Sequence, residues 1–206
     1  MESETLLSLL AAMHTRMEQE KDYLTRLDND IADGDHGINM ARGFAAVEAK
    51  LPALAGRDAG TVLKTVGMTL VSAVGGSAGP LYGTAFMYAG KAVADKAALT
   101  LADFLACMDE AVEGVQMRGK AVQGEKTMLD AMIPARDAMH RAAEAGADTK
   151  AVLDAGIEAA RAGFEHTKDI IATKGRASYI GERSLGHPDP GAASFLYLLE
   201  SVAAFV

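Results

Sequence analysis

Apolar residues recur along most of the chain at alternating spacings of three and four, in stretches dominated by Ala, Leu and Met. MESETLLSLLAAMHTRMEQE and LADFLACMDEAV are typical, and each would place an apolar stripe along one face of a helix. The two-residue alternation of Val, Ile and aromatic residues that marks a strand is almost absent. The pattern predicts an all-α chain of eight helices, at about 4 to 27, 38 to 51, 58 to 74, 80 to 95, 100 to 118, 127 to 145, 148 to 170 and 190 to 206. Short connections favour antiparallel neighbours in an up-and-down arrangement.

Several boundaries carry their own signals. Thr100 can cap LADFLACM with Asp103 in the first turn, Asp148 can cap the seventh helix, and Asp189 stands before Pro190 at a first helical position. Pro134 falls inside the sixth helix and is expected to kink it. The eleven methionines read as adaptable core filling.

Three connections depart from the apolar pattern by being polar and rich in glycine. They are the stretch leading to Gly37, then VGGSAGPLYG from Val74 to Gly83, then ATKGRASYIGERSLGHPDPGA from Ala172 to Ala192. In an up-and-down bundle the connections after the first, third and seventh helices lie at the same end. Three separate loops are therefore expected to converge on one rim.

Composition narrows the setting. With 206 residues and half of them apolar, the chain suits one sizeable core and one domain over 1–206. A net charge of −8 and a pI near 5.1 argue against nucleic acid or an anionic membrane surface as the main partner. The single cysteine, Cys107, lies in an apolar-periodic stretch, which fits a buried core position and a reducing, cytoplasmic setting. The N-terminus lacks the basic start of a secretory signal, and the apolar tail SFLYLLESVAAFV is too short to cross a bilayer.

The first polar stretch, LDNDIADGDHGINM, carries four aspartates in eight positions. A soluble acidic turn and a metal site both account for that count. Asp28, Asp33 and Asp35 can direct oxygens at one centre, and three carboxylates suit one or two Mg²⁺ ions whose shells are completed by a polyphosphate. A Ca²⁺ EF-hand fails on register, because Ile31 and Ala32 fall where a ligand should approach and Asn39 occupies the place of the bidentate Glu.

GGSAGPLYG opens a helix with small residues, so its backbone amides can approach an anion and the helix dipole favours one there. Beside a metal cluster it reads as a phosphate cradle. GKAVQGEKT, from Gly119 to Thr127, approaches a Walker A loop but has Glu125 where the lysine should follow the second glycine, and it follows a helix. It is read as an accidental match, with Gly119 and Met128 free to face a base or ribose. Lys174, Arg176, Arg183 and His187 gather positive charge in the last loop, and arginine suits bidentate contact with phosphate oxygens.

Taken together, LDNDIADGDHGINMARGF, GMTLVSAVGGSAGPLYGTAF, GEKTMLDA and KGRASYIGERSLGHPDPGA closely resemble the nucleotide-binding L subunit of dihydroxyacetone kinase, in order and spacing over essentially the whole chain. The resemblance implies a barrel of eight antiparallel amphipathic helices, with ADP or ATP capping one end and two Mg²⁺ ions bridging its phosphates. By position it makes Asp28, Asp33 and Asp35 metal ligands. It places His36, Gly37, Ile38, Asn39, Ser77, Ala78, Gly119 and Met128 beside the nucleotide. Arg176 matches a phosphate-contacting lid arginine with a catalytic role, and Asp189, Pro190 and Gly191 match the nucleotide-contacting turn before the last helix. The family commonly reads Gly-Gly-Ala-Ser-Gly, whereas here Ser77 precedes Ala78, which keeps backbone donation but moves the hydroxyl one place.

The free-standing, phosphoenolpyruvate-dependent form of the family implies two partners. A phosphohistidine subunit, M, of the phosphotransferase system rephosphorylates bound ADP, and a K subunit holds the dihydroxyacetone that receives the phosphoryl group. Two alternatives stand beside this expectation: an ATP-exchanging kinase subunit for another short ketose, and a nucleotide-state sensor of a regulatory protein.

Overall fold

Capping side chains fix several helix starts where the sequence places them. Asp103 and Thr100 form a reciprocal capping box, the Thr100 amide donating to Asp103 Oδ2 at 2.9 Å and the Asp103 amide to Thr100 Oγ1 at 3.2 Å. Asp148 accepts from the Ala151 amide at 2.8 Å, and Asp189 accepts from the Ala192 amide at 2.7 Å with Pro190 at the first helical position.

The computed structural model describes residues 1–206 as eight α-helices: α1 (Ser3–Ile31), α2 (His36–Glu48), α3 (Ala59–Ala73), α4 (Ala78–Ala92), α5 (Leu101–Gly119), α6 (Leu129–Glu144), α7 (Thr149–His166) and α8 (Pro190–Ala203). Short 3₁₀ segments lie at Leu51–Leu54, Thr167–Asp169 and Arg176–Ser184. The all-α expectation holds. One boundary shift matters for the site: α1 runs a turn beyond its expected end, so Asp28 sits inside a helix and is buried. The aspartates are therefore divided between the last turn of α1 and the connection to α2, not gathered in one open turn.

Each helix packs against the next in sequence, and α8 returns to pack on α1 and α7. Small residues bring α3 and α4 together almost backbone to backbone, since a side chain on Gly67 would strike the Gly83 carbonyl. Pro134 lies within α6, where it has no amide to offer the Asp130 carbonyl, and Gly163 of α7 packs against that carbonyl. Arg16 closes α1 onto α8 by bonding Glu200 at 2.9 Å and stacking over the Tyr197 ring at 4.6 Å.

One contiguous core of 48 buried residues draws on all eight helices and contains many of the methionines. Inside it lies an apolar cavity of about 480 Å³, whose walls include Leu10, Met13, Phe104, Cys107 and Leu199. Cys107 is buried as expected, and desolvation pushes its thiol up to about 12, so it is an inert core residue. A smaller apolar contact seats Ala172 and Ala177 against Ile31 at the end of α1. No helix is long and apolar enough to cross a membrane.

Candidate functional site

At one end of the bundle, residues from the first, third, fifth and seventh interhelical connections and the start of α8 line a second cavity, of about 490 Å³. The convergence expected from an up-and-down chain is thus present. Asp28, Asp33, Asp35, His36, Asn39, Ser77, Ala78, Gly119, Met128, Arg176, Asp189, Pro190 and Gly191 all line this pocket. Gly37 and Ile38 do not. Gly37 is buried against the Lys21 carbonyl and Thr25, and the Ile38 side chain is half exposed.

Carboxylate oxygens of Asp28, Asp33 and Asp35 lie within 4.8 Å of one another. Asp28 Oδ2 accepts the amides of Asp35 at 2.9 Å and His36 at 3.1 Å, which fixes the turn into α2 and leaves Oδ1 for another partner. Asp33 is paired with the Arg176 guanidinium. Three converging hard oxygen donors beside a phosphate-sized recess fit a magnesium-like cation.

The recess is built by Gly75, Gly76, Ser77 and the first residues of α4. Gly76 takes φ +64°, a left-handed conformation that glycine adopts without strain, and a side chain on Gly75 would run into Asn39. Asn39 is itself held by Arg42, whose Nη2 donates to its Oδ1 at 2.7 Å while Nε reaches the Ala73 carbonyl at 2.9 Å. Ser77 makes no side-chain cap, and the Ala78 and Gly79 amides at the start of α4 donate to no carbonyl of the chain, Leu81 being the first to bond back, to Ser77. The helix start is therefore uncapped, and Ala78, one of its two unbonded amides, lines the pocket.

His36 and Tyr82 form the floor. His36 Nε2 lies 2.9 Å from Ser194 Oγ, which lies 2.7 Å from the Tyr82 hydroxyl and donates to the Gly191 carbonyl at 3.0 Å. Burial pushes His36 down to about 4 despite the neighbouring Asp35, so the ring is neutral at physiological pH. Asp189 moves the other way, up to about 7, mainly through burial, with Asp130 and Asp28 adding to the rise and the Ala192 amide and Lys126 opposing it.

Sequence reasoning did not single out Lys126, Thr127, Tyr82 or Arg118, all of which line the pocket. Tyr82 lies within GGSAGPLYG, where its place in the helix-opening motif is the available signal. Lys126 falls in the Walker-like stretch and carries no other sequence signal of its own. Its ammonium faces backbone carbonyls, so the stretch is no P-loop.

Comparison with known proteins gives a consistent picture. Residues 30–204 match the DAK2 domain. The chain is 44% identical over 184 residues to the PEP-dependent dihydroxyacetone kinase, ADP-binding subunit DhaL, of Escherichia coli (strain K12), covering 89% of this chain and 88% of that one. It is 38% identical over 203 residues to the PTS-dependent dihydroxyacetone kinase, ADP-binding subunit DhaL, of Lactococcus lactis subsp. lactis, covering 98% and 97%. In fold it is similar to the dihydroxyacetone kinase from C. freundii solved in complex with AMP-PNP and Mg²⁺, with a TM-score of 0.73, 23% identity, and coverage of 96% of this chain and 33% of that one.

Proposed function

The chain belongs to the DAK2 domain family, and from that premise we propose that it is the ADP-binding, phosphoryl-transferring subunit of a dihydroxyacetone kinase fed by phosphoenolpyruvate through the phosphotransferase system. The observation that carries the reading is the loop-end pocket, where three converging carboxylates, an uncapped helix start and a lid arginine surround one recess. We read 1–206 as one nucleotide-binding unit and the closed succession of helices as an eight-helix barrel capped by the nucleotide. Its setting is cytoplasmic.

Asp28, Asp33 and Asp35 would hold Mg²⁺, two ions in the fullest form of the proposal. When bound, Mg²⁺ supplies neutralisation and orientation of the phosphate oxygens. Asn39 and the amides at the start of α4 receive phosphate oxygens, while Gly119, Met128, Asp189, Pro190 and Gly191 enclose the nucleoside. Phosphoryl transfer needs in-line positioning and charge neutralisation more than proton abstraction by this chain. Arg176 suits that role, because its guanidinium already reaches the carboxylate cluster through Asp33 and can turn to a phosphoryl oxygen. His36, neutral and held by Ser194, shapes the floor without adding charge.

The partners follow from the likeness to the phosphoenolpyruvate- and PTS-dependent relatives. A phosphohistidine-bearing subunit must reach the open face of the pocket to rephosphorylate ADP, and a K subunit must present dihydroxyacetone there. The test is reconstitution of transfer from a phosphohistidine donor to dihydroxyacetone with this chain in catalytic amount and no added nucleotide. Turnover is expected. A strict requirement for added ATP would move the assignment to an ATP-exchanging kinase subunit.

A further inference from the structure

Lys126 is among the most deeply buried large side chains of the protein, at 1% exposure, and no carboxylate pairs with its ammonium. Nζ instead donates to three carbonyls, those of Thr167 at 2.8 Å, Ile170 at 3.1 Å and Ser184 at 2.5 Å. An ammonium has three N–H groups, so all its donors are used and none remains for a phosphate. Burial lowers its pKa, while Asp189, Asp130 and Asp169 favour the charged form.

The three carbonyls lie at the two ends, or neck, of the connection over residues 171–184, the lid, which carries Lys174 and Arg176: two just before it and one at its end. Other bonds close the same neck, with the Ala172 amide donating to Ser184 Oγ at 2.9 Å and the Gly186 amide to the Lys168 carbonyl at 2.8 Å. Lys126 itself belongs to the turn between Gly119 and Met128, both of which line the nucleoside side of the pocket. That turn is set by Asp130, which accepts the amides of Gly124 at 2.5 Å and Thr127 at 2.8 Å. It holds Lys126 at φ +59°, a left-handed conformation that costs a residue with a side chain. The preceding residue, Glu125, grips the lid from outside, accepting from Thr173 Oγ1 at 3.2 Å and lying 3.7 Å from Lys174 Nζ.

We propose that Lys126 is a positioning residue that joins the nucleoside-side turn to the phosphate-side lid, so that the two halves of the pocket move as one unit and Arg176 is delivered at a fixed height over the phosphates. The inference rests on the nucleotide reading of the pocket. It gives the Walker-like lysine a different task, holding the backbone that carries the phosphate-binding arginine.

The test combines hydrogen exchange with a double-mutant cycle. In the unaltered chain the Ala172 and Gly186 amides should exchange about as slowly as core helix amides, while the lid tip at Ser178 to Ile180 exchanges freely. Neck amides as fast as the tip would overturn the proposal without any variant. In Lys126→Met the neck amides should exchange roughly tenfold faster or more, with α3 and α4 unchanged. Mg-ADP affinity should fall roughly tenfold in Lys126→Met and in Arg176→Ala, and the double variant should lose no more than the larger single loss. Losses that multiply would show that Lys126 does not act through Arg176 and would overturn the proposal. If the unaltered chain fails to bind Mg-ADP, the nucleotide reading falls while the exchange data still decide whether Lys126 pins the lid.

Discussion

The protein holds two cavities of nearly equal size and opposite chemistry. The one inside the bundle, about 480 Å³, has 25 hydrophobic residues among its 27 lining residues; the one at the loop end, about 490 Å³, has 10 among 29. Tyr82 and Met128 line both, forming a common wall. The apolar cavity is walled mostly by helix faces, the polar one mostly by helix ends and connections. Faces bury methylenes and supply stability, whereas ends expose unpaired backbone donors and acceptors and supply binding. Substitutions should therefore separate activity from stability according to the cavity they touch.

The largest effect is expected at the polar end. If the metal assignment is right, Asp35→Asn should reduce phosphoryl transfer by roughly a hundredfold or more while leaving the thermal midpoint nearly unchanged, because the proposed role of this carboxylate is to hold a cation and not to support the core. Unchanged turnover together with unchanged nucleotide binding would sink the metal assignment.

In the core, Phe44→Ala should do the reverse. Phe44 is fully buried and meets Phe86 edge to face at 6.3 Å, so truncation should cost about 3–5 kcal/mol of unfolding free energy. Denaturant titration measures that loss, and the folded fraction should bind Mg-ADP as before.

The common wall sharpens the contrast. Tyr82→Phe removes the hydroxyl beside Ser194, an expected loss of about 1 kcal/mol, with a threefold or smaller change in nucleotide affinity. A large affinity loss from this one oxygen would mean that the two cavities are energetically coupled.

The smallest effect lies beside the apolar cavity, where Asp103 accepts from Lys96 and Thr100 and is held down at about 2. Its folded pKa is below the usual carboxylate value of 3.8, so the unfolded chain binds more protons between those values. The stability it contributes is present above about pH 4 and lost as pH falls toward 2. Acid unfolding of Asp103→Asn should lack that component; parallel curves for the two proteins would contradict it.

The difference between the cavities also explains what could be read in the sequence. Helix faces announce themselves by periodicity, and caps at Thr100, Asp148 and Asp189 announce themselves by residue type, so the all-helical fold was legible. The end of α1 was less so, because Asp28 to Asp30 interrupt the apolar pattern while the backbone stays helical through Ile31. The start of α2 decides which residues face the pocket. Because the helix begins at His36, residues 36 and 39 share one face, three apart, and Gly37 and Ile38 point elsewhere. Lys126 was not legible in its actual role, since its partners are backbone carbonyls 41 to 58 residues away and a carbonyl has no sequence signature.

On the proposed function, the loop-end pocket keeps a nucleotide as a working part of the protein. The most direct measurement is to purify the chain without added nucleotide, wash it extensively, denature it, and identify what is released by chromatography and mass spectrometry. Stoichiometric ADP is expected. A chain that releases none and fails to bind Mg-ADP or Mg-ATP when they are supplied would contradict it.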